Sequence, residues 1–388
     1  MKIAIVHEWL EHYAGSERVL EELLNCYPQA DIFAVVDFLA DDDRNFLGGR
    51  PVTTSFIQKL PLARKHFRNY LQLMPLAIEQ FDLTGYDLVI SSNHAVAKGA
   101  LTGPKQVHVC YMHSPIRYAW DLQSQYLRES GLTRGVKSLY IRWLLHRIRL
   151  WDAMAANGVD HFLANSSYIA RRIQKTYRRD AEVVPPPVAV ERFVPGHGAR
   201  SGYLVASRFV PYKRIELIAE AFRELPECPL TIVGTGTNEP QVRRAAAGAP
   251  NITLRPPVPH AELVSLMQSA KAMVFAAEED FGITMVEAQA CGTPVIAFAE
   301  GGARDIFPAH SVAPTGVLFE TQTKDAIVSA VRSFEARSAT MVPALCRENA
   351  LRFSASLFRT RIHAAVETAM AQFRPRGTVS ARAVHENG

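Results

Sequence analysis

Short, nearly continuous apolar runs alternate with longer amphipathic segments along most of the chain. Runs of this kind, five or six residues long, are typical of strands buried on both faces of a parallel sheet. In the first half of the sequence the predicted strands cover residues 2–6, 31–36, 87–92, 107–112 and 161–166. In the second half they cover residues 203–207, 230–234, 251–255, 272–276, 294–298 and 316–320. The pattern therefore predicts two groups of parallel strands.

Segments with helical periodicity lie between the predicted strands. They cover residues 16–26, 213–224, 238–247, 260–269, 282–291, 324–335 and about 345–373. Ser16 is expected to cap the first of them. A stretch rich in proline and glycine, residues 183–202, interrupts both patterns. Strand–helix alternation on both sides of it predicts an α/β protein with two doubly wound, Rossmann-like domains that face a central cleft.

The domain boundaries follow from the same pattern. We place an N-terminal domain at 1–185, a linker at 186–200 and a C-terminal domain at 201–345. The last helix, 346–373, is expected to cross back to the N-terminal domain. The polar tail, 374–388, carries glycine and proline and is expected to be disordered.

Composition narrows the class of protein and of partner. The 388 residues are 48% hydrophobic and 21% charged, with a formal net charge of +5 and a pI of about 8.9. These values are typical of a globular chain that binds anionic partners. Nucleic acid is disfavoured as that partner, because the basic residues cluster with long aliphatic ones and no reading motif is present.

The lengths of the apolar segments and the cysteine pattern predict where the protein is located. The N-terminal run is short and followed by acidic residues, so we interpret it as a strand and not as a signal peptide. No run reaches the length of a membrane-spanning helix. Five scattered cysteines without CxxC spacing are interpreted as reduced structural thiols. We expect a cytoplasmic protein that is attached to a membrane, if at all, only at its surface.

Two cations lie in SRFVPYKR, residues 207–214. Arg208 follows a predicted strand and Lys213 lies at the start of the next predicted helix. Cations above a helix N-terminus suit a diphosphate, because the free amides and the helix dipole also favour negative charge. The alternative is a solvated Lys–Arg pair at a helix start.

A glycine-rich turn follows in IVGTGTNEP, residues 232–240. Gly234 and Gly236 are spaced as in a dinucleotide fingerprint, but Glu239 occupies the third glycine position. The next predicted strand ends in Arg255 and not in an acidic residue. A nicotinamide site is therefore weakly supported, whereas a tight turn close to a nucleotide is consistent with the pattern.

Two carboxylates stand eight positions apart in EEDFGITMVEAQACG. Glu279 is predicted in a loop just after a strand, and Glu287 one to two turns into the helix that starts near Gly282. Such a pair serves either acid–base chemistry or the binding of vicinal hydroxyl groups, as carboxylates do with ribose. The alternative is an exposed acidic loop beside an ordinary helix charge.

The N-terminal half carries two further candidates. His113 lies at the end of a predicted strand, where cleft residues belong, although it could equally be a histidine at the edge of the core. Gly15 precedes a predicted helix. The sequence contains no HExxH, no Walker A lysine motif and no D-x-D pair at a strand end, so we expect no metal.

Two basic amphipathic segments occur in the same half, at 136–151 and 55–73. The first includes Arg142, Arg147 and Arg149 among leucine, isoleucine and tryptophan residues. Segments of this composition dock on anionic membrane surfaces, which would bring the protein to a lipid-linked acceptor. The alternative is a helix that packs on the core and exposes a solvated basic face.

Taken in order, GSERV, HSPIRYAW, ANSS, SRFVPYKR, VGTG and EEDFGITMVEAQACGTPVIAFAEGGARD resemble the family 4 retaining glycosyltransferases of the GT-B fold. HSPIRYAWDL is most similar to bacterial mannosyltransferases of O-antigen and exopolysaccharide synthesis. The resemblance runs from residue 1 to about 370. It departs at Ser16, where the family commonly has a second glycine, and at VVPPPV, 183–188, where many members have an Asn-Gly turn.

The resemblance implies a role for each candidate residue. Arg208 and Lys213 would neutralise the donor diphosphate, and His113 would meet the donor sugar near the bond that breaks. Glu279 would bind the hydroxyls of the transferred sugar. The resemblance implies that the other donor-binding residues are Gly15, Gly234, Phe281, Gly282, Ile283 and Glu287, with Glu287 on the ribose.

The activity implied is transfer of a hexose, with GDP-mannose as the donor, to a glycan or polyprenyl-diphosphate-linked acceptor. The resemblance implies a front-face mechanism with retention, without a cofactor or a metal. The N-terminal domain would bind the acceptor and the C-terminal domain the nucleotide sugar. The alternatives are a UDP-sugar donor, a UDP-sugar 2-epimerase, a nicotinamide-dependent oxidoreductase and a non-catalytic nucleotide-sugar sensor. The oligomeric state is left open.

Overall fold

The computed structural model describes residues 1–307 and 314–373, and the predicted tail 374–388 lies outside them. The chain divides into two compact units. Of the described residues, the first comprises Met1–Asn165, Ile169–Val184 and 359–373, and the second comprises Ser166–Tyr168 and Pro185–Phe358. Within the described residues, no helix is long and apolar enough to span a membrane.

The first unit is built on a seven-stranded parallel sheet. Its strands are β1 (Ile3–His7), β2 (Asp31–Ala34), β3 (Val52–Thr54), β4 (Leu88–Asn93), β5 (Val107–Met112), β6 (His161–Ala164) and β7 (Glu182–Val183). Their order across the sheet is β3-β2-β1-β4-β5-β6-β7. The accompanying helices are α1 (Gly15–Cys26), α2 (Ala63–His66), α3 (Met74–Glu79), α4 (Gln123–Glu129), α5 (Val136–Ala155), α6 (Ser167–Tyr177) and most of α14 (Ala355–Phe373).

The second unit contains a six-stranded parallel sheet. Its strands are β8 (Tyr203–Ala206), β9 (Leu230–Val233), β10 (Ile252–Arg255), β11 (Ala272–Phe275), β12 (Val295–Phe298) and β13 (Gly316–Phe319). Their order is β10-β9-β8-β11-β12-β13, so β8 lies directly beside β11. The helices are α7 (Ile215–Phe222), α8 (Glu239–Ala246), α9 (His260–Ser269), α10 (Ile283–Ala290), α11 (Ala303–Ile306), α12 (Lys324–Arg337) and α13 (Pro343–Leu351).

Two parallel sheets with helical crossovers confirm the predicted doubly wound α/β architecture, and every predicted strand overlaps an observed one. The sequence missed β3 and β7, which lie at the two edges of the first sheet. Both are only two or three residues long and partly or fully exposed. An edge strand has no continuous apolar signature because only part of its surface meets the core.

Three local predictions are corrected by the structure. Helix α1 begins at Gly15 with Ala14 as its N-cap residue, whereas Ser16 lies in the first turn and donates to Glu17 Oε2 (3.0 Å). The expected final helix is two helices, α13 and α14, separated at residues 352–354. The expected linker, 186–200, is packed: Val188, Val190 and Phe193 are buried in the core of the second unit. Hydrophobic residues between the prolines cause this burial.

A fully buried ion pair joins the β4 end of the first unit to α5. Lys98 and Asp152 are both inaccessible to solvent and their side chains are in contact. Trp120 Nε1 and Tyr177 Oη donate to the second oxygen of Asp152 at 2.7 and 2.9 Å. Two aromatic rings, those of Trp151 and Tyr177, lie 5.4 and 5.2 Å from Lys98 Nζ. The charges are thus compensated by each other, by hydrogen bonds and by cation–π contacts.

All five cysteines are buried and free, in agreement with their interpretation as structural thiols. Burial raises the pKa of the Cys110 thiol to about 12. Thiols in such surroundings stay protonated and unreactive at neutral pH.

His108 on β5 makes the first unit sensitive to acid. Its Nδ1 lies 3.2 Å from the carbonyl of Gly158 and its Nε2 lies 2.8 Å from Ser91 Oγ. Burial, with the nearby charge of Lys98, lowers the pKa of His108 from 6.5 to about 4. Between pH 6.5 and 4, His108 therefore binds a proton in the unfolded chain but not in the folded chain. The free energy of unfolding is unaffected by His108 above pH 6.5 and decreases as the pH falls toward 4.

We expect lowering the pH from 7 to 5 to cost about 2 kcal/mol of unfolding free energy through His108 alone. Urea denaturation at a series of pH values measures it. His108→Gln should flatten the pH dependence by that amount, whatever its effect at pH 7. Between pH 8 and 7 the same substitution should leave the slope unchanged. An unaltered slope below pH 6.5 would contradict the assignment.

Candidate functional site

Lys213 and Glu279 form an ion pair in the second unit. Lys213 ends a short 3-10 helix after β8, and Glu279 lies in the loop after β11. Because β8 and β11 are neighbours in a parallel sheet, their carboxyl ends deliver both loops to one edge. Each side chain is 17% exposed. The structure thus brings together the predicted diphosphate-binding cation and the predicted sugar-binding carboxylate.

The backbone of Glu279 is held by the loop that follows β12. Gly302 N donates to the Glu279 carbonyl at 2.9 Å, and Gly301 pairs with Glu279 in a parallel bridge. A Cβ at Gly301 would lie 2.0 Å from that carbonyl oxygen, and one at Gly302 would lie 2.4 Å from the Phe281 Cα. The two glycines allow this approach and so fix the backbone position of Glu279. These two glycines were not predicted to have a role, although a Gly-Gly pair after a predicted strand is a recognisable sequence signal.

Helix α10 begins directly after this loop. Its N-cap, Gly282, has a φ of +98°, a left-handed conformation that favours glycine. The first amides of α10 include that of Ile283, and amides at a helix start are free to bind an acceptor group. The ring of Phe281 is buried and packs edge-on against Phe353, so only its backbone can serve a ligand. The helix start therefore combines a rigid apolar anchor with a polar backbone.

Glu287 is buried on α10, unlike an ordinary solvated helix charge. The C-terminal end of this helix is held by two guanidinium groups. Arg347 Nη1 donates to the Ala290 carbonyl (3.3 Å) and Arg200 Nη2 to the Cys291 carbonyl (2.8 Å). Cations suit a helix C-terminus, where carbonyl groups lack helical partners. They fix the axial position of the helix that carries Glu287.

Gly234 and Gly236 are required by packing. A Cβ at Gly234 would lie 1.9 Å from the Ser207 carbonyl oxygen, and one at Gly236 would lie 2.3 Å from the Phe209 carbonyl oxygen. The two loops are also joined by hydrogen bonds, from Phe209 N to Thr235 O and from Asn238 N to Phe209 O, both 2.8 Å. The glycine turn thereby fixes the loop that leads to Lys213. Its predicted contact with a donor stays a prediction.

Arg208 lies on the same loop with an exposed side chain. It forms no ion pair with any residue in the parts of the chain that the structure describes, 1–307 and 314–373. Its neighbour along the chain, Phe209, is buried in the core and anchors the loop. Arg208 is thus a fixed backbone position that carries a solvated cation, which suits an anionic ligand.

His113 follows β5 in the first unit and is surrounded by polar groups. Ser92 Oγ lies 2.9 Å from its Nε2, and Asn165 Nδ2 donates to its carbonyl (2.9 Å). Burial, with the charges of His94 and His7, lowers the pKa of His113 to about 3. The imidazole is therefore neutral at physiological pH and can donate or accept one hydrogen bond at each nitrogen, but brings no charge.

The polar residues at the end of β1 were not recognisable as a cluster from the sequence. Glu8 is fully buried, and its carboxylate accepts from the backbone amides of residues 94–97 at 2.7–3.1 Å. It therefore fixes the turn between β4 and the short helix at Ala97–Gly99. His7 Nε2 lies 3.4 Å from Glu17 Oε1, and the pKa of Glu17 is lowered to about 2: burial opposes the shift, whereas the hydrogen bond from His7 and its charge produce it.

Gly15 is exposed at the first position of α1, two residues before Glu17. Glu17 Oε2 accepts from the Ala14 amide at 3.1 Å, which closes the first turn. The residues predicted around Gly15 and His113 thus lie in the first unit. Those predicted around the donor phosphate, Arg208 and Lys213, lie in the second.

The three arginines predicted on a membrane surface differ in environment. Arg142 and Arg147 are exposed on α5. Arg149 is half-buried; it donates to the Ala119 carbonyl (2.7 Å) and contacts Gln123 Oε1. Its interpretation as a surface cation is therefore corrected, because its guanidinium group ties α5 to the segment before α4.

The outward side of α5 is more apolar than the sequence indicated. Leu139, Trp143 and Met154 are 70%, 55% and 73% exposed, and Leu150 is 50% exposed. They recur at intervals of four, seven and four residues and so form one stripe. The inward side carries Leu145 and other buried residues. The helix packs on the core, as one alternative held, but its free face is not simply a solvated basic one.

The fold and the candidate site define the class of protein. The second unit joins a lysine–carboxylate pair to a glycine-capped helix, and both units are Rossmann-like, which places the protein in the α/β GT-B class. Sucrose-phosphate synthase from Thermosynechococcus elongatus has the same fold, with a TM-score of 0.70 at 17% identity over 96% of this chain and 100% of that one. So does Anabaena HepE in complex with UDP, with a TM-score of 0.68 at 16% identity over 95% and 100%.

Two family models match adjoining parts of the sequence. Residues 13–192 match "Glycosyltransferase Family 4" and residues 192–351 match "Glycosyl transferases group 1". Together the two models cover residues 13–351, and both describe glycosyltransferases. The matches support the family 4 resemblance that the motifs carry, and the structural neighbours confirm the predicted fold.

A relative from Geodermatophilus obscurus, the D-inositol 3-phosphate glycosyltransferase, is 35% identical over 210 residues. The match covers 46% of this chain and 46% of that protein, so the chain spans about half the length of the curated relative. The predicted alternative of a UDP-sugar 2-epimerase is not supported, since the family models and this relative are all glycosyltransferases.

Proposed function

We propose that this protein is a retaining glycosyltransferase that moves mannose from GDP-mannose to a lipid-linked or oligosaccharide acceptor in cell-surface polysaccharide synthesis. The observation that carries the proposal is the Lys213–Glu279 pair beside the start of α10 and the solvated Arg208. A cation and a carboxylate in one place match the two ends of a nucleotide sugar, a diphosphate and a hydroxylated ring. The mannose and polysaccharide assignments are supported by the HSPIRYAWDL resemblance.

The proposed chemistry needs little beyond charge stabilisation. The bond between sugar C1 and the diphosphate oxygen breaks, and a bond between C1 and the acceptor oxygen forms on the same face. The acceptor's proton passes to the departing phosphate oxygen. Lys213, Arg208 and the amides of α10 stabilise the negative charge that grows on the diphosphate, a role that needs no metal. Glu279 orients the sugar through its hydroxyls, and neutral His113 offers a hydrogen bond near C1.

The donor is tested by thermal denaturation with GDP, UDP, ADP and their sugars. We expect GDP and GDP-mannose to raise the melting temperature by about 5 °C or more at roughly a hundredfold excess over Kd, because a ligand of the folded state stabilises it by mass action. Stabilisation by UDP and UDP-glucose alone would show that the donor is a UDP-sugar and not GDP-mannose, in line with the UDP and glucose bound to Anabaena HepE. Stabilisation by none of them would overturn the proposed function.

The acceptor is tested by transfer from radiolabelled donor. A polyprenyl-diphosphate-linked glycan should be glycosylated with retained anomeric configuration. D-inositol 3-phosphate, the acceptor in the name of the Geodermatophilus relative, is the competing substrate. Labelling of the inositol phosphate and not of the lipid would contradict the polysaccharide assignment, whereas donor binding without transfer to either would favour the sensor alternative.

A lipid-linked acceptor requires contact with the membrane, and we assign that contact to the stripe of Leu139, Trp143, Leu150 and Met154 on α5. Exposed apolar side chains enter the interface of a bilayer, and flanking cations favour anionic headgroups. Arg142 and Arg147 stand beside the stripe and are exposed. The protein would thus act at the cytoplasmic face of the membrane.

Replacing both Arg142 and Arg147 by glutamate should weaken binding to phosphatidylglycerol-containing vesicles by about 2 to 4 kcal/mol, given about 1 kcal/mol per charge at a surface. Cosedimentation measures the bound fraction. The control variant carries Arg244→Glu and Arg332→Glu, which change the net charge equally but lie exposed in the second unit. Equal loss in both variants, or no loss in either, would contradict a specific surface on α5.

A further inference from the structure

The Lys213–Glu279 contact joins two groups that the proposed function assigns to different parts of the donor. Lys213 is the partner of the diphosphate and Glu279 that of the sugar, yet their side chains touch each other and are each only 17% exposed. Neither group can be engaged by a ligand without affecting the other. The consequences differ for a nucleotide with a sugar and for one without.

We propose that this pair selects glycosylated nucleotides over bare nucleoside diphosphates, an inference that rests on the proposed function. A diphosphate that reaches Lys213 also comes close to the Glu279 carboxylate, and the backbone of Glu279 is held in place by Gly301 and Gly302. The two anions repel each other, and the repulsion is stronger in a half-buried site than in water. For a bare diphosphate, Glu279 is therefore a competitor for Lys213.

A sugar nucleotide changes the sign of this contribution. Hydroxyl groups of the sugar donate to the carboxylate, and hydrogen bonds to a charged acceptor are stronger than neutral ones. Glu279 then has new donors in place of part of its contact with Lys213, which becomes available to the diphosphate. The same carboxylate thus opposes the nucleotide product and favours the nucleotide-sugar donor. After transfer, the sugar leaves with the acceptor and the repulsion returns, which promotes release of the nucleotide.

The neighbouring carboxylate supplies a matched control. Glu300 directly precedes Gly301, is 45% exposed and lies 3.7 Å from Arg304. Glu300→Gln removes one negative charge close to the same loop without touching Lys213. It therefore reports the general effect of net charge on anion binding.

Isothermal titration calorimetry with GDP, GDP-mannose, UDP and UDP-glucose tests the proposal. The comparison uses whichever of the guanine and uracil nucleotides the wild type binds. Glu279→Gln should bind that bare nucleoside diphosphate about threefold to tenfold more tightly than the wild type, because a repulsive charge is removed. It should also lose preference for the sugar nucleotide, with the ratio of the two Kd values shifting by about tenfold or more. Glu279→Ala should also bind the bare nucleoside diphosphate more tightly, and it replaces the glutamine variant if that variant folds poorly.

Unchanged or weaker binding of the bare diphosphate in both Glu279 variants would overturn the inference and leave the proposed function standing. Equal tightening by Glu300→Gln would also overturn it, because net charge would then be the cause. Failure of the wild type to bind any of the four nucleotides would instead overturn the proposed function, and the inference with it.

Discussion

Lys213→Ala should lower kcat/KM for sugar transfer by about 100- to 1000-fold, close to 3–4 kcal/mol of transition-state stabilisation. Lys213 lies at the carboxyl end of β8 with its ammonium group against Glu279, where the leaving diphosphate is proposed to gain charge. Removing the cation leaves both that charge and the Glu279 carboxylate without a partner. Initial rates with the donor identified by thermal denaturation measure the loss, which should fall mainly on kcat.

Lys271→Ala is the matched control for this variant. Lys271 also pairs with a glutamate, Glu335, at 2.9 Å, but it precedes β11 and so lies at the opposite end of the strand from Glu279. Both variants lose one ion pair in the same unit, so their melting temperatures should be similar, whereas only Lys213→Ala should lose activity. A Lys213→Ala enzyme with more than a third of wild-type kcat/KM would remove Lys213 from the proposed chemistry.

Asp152→Asn should destabilise the first unit by about 3–5 kcal/mol, the cost of leaving a buried charge without its partner. The amide keeps the shape of the side chain and can still accept from Trp120 or Tyr177, so the lost charge is the main change. Lys98 then keeps the rings of Trp151 and Tyr177 near its ammonium group but loses its carboxylate partner. Chemical denaturation followed by tryptophan fluorescence measures the loss.

Two comparisons separate the charge effect from packing. Glu224→Gln breaks the Lys324–Glu224 pair, whose side chains are 41% and 46% exposed, and should cost less than about 1 kcal/mol. The double variant Lys98→Met, Asp152→Asn removes both charges and should be more stable than Asp152→Asn alone. A single variant as stable as the wild type would show that the buried pair contributes nothing net.

Much of the site was predictable because its motifs stand at strand ends. The apolar runs before Arg208, Gly234 and Glu279 identified three parallel strands, and parallel strands present their carboxyl ends at one edge. The left-handed glycine before α10 was likewise visible as Phe-Gly before an amphipathic segment. Short-range chemistry of this kind is written in adjacent residues.

Other features depended on spacing in three dimensions. The sequence predicts that Gly234 contacts a donor, and the structure adds a second requirement for this glycine, because it lets two loops touch at the Ser207 carbonyl. The sequence also predicts Arg149 on a membrane-binding surface, but in the structure its guanidinium group donates to the Ala119 carbonyl. In both cases the residue type is compatible with a ligand and with a neighbouring backbone, and only the tertiary structure shows the contact with that backbone.

The sequence by itself determined the two doubly wound units, the resemblance to glycosyltransferases and the identity of the charged groups, because burial on both faces of parallel strands leaves continuous apolar runs. The tertiary structure alone decided that β8 lies beside β11. That adjacency places Lys213 against Glu279, 66 residues away along the chain. The tertiary structure also decided which side of α5 faces outward, since both sides carry large apolar residues. Strand order and helix orientation arise from packing between distant segments, which no local pattern of residues records.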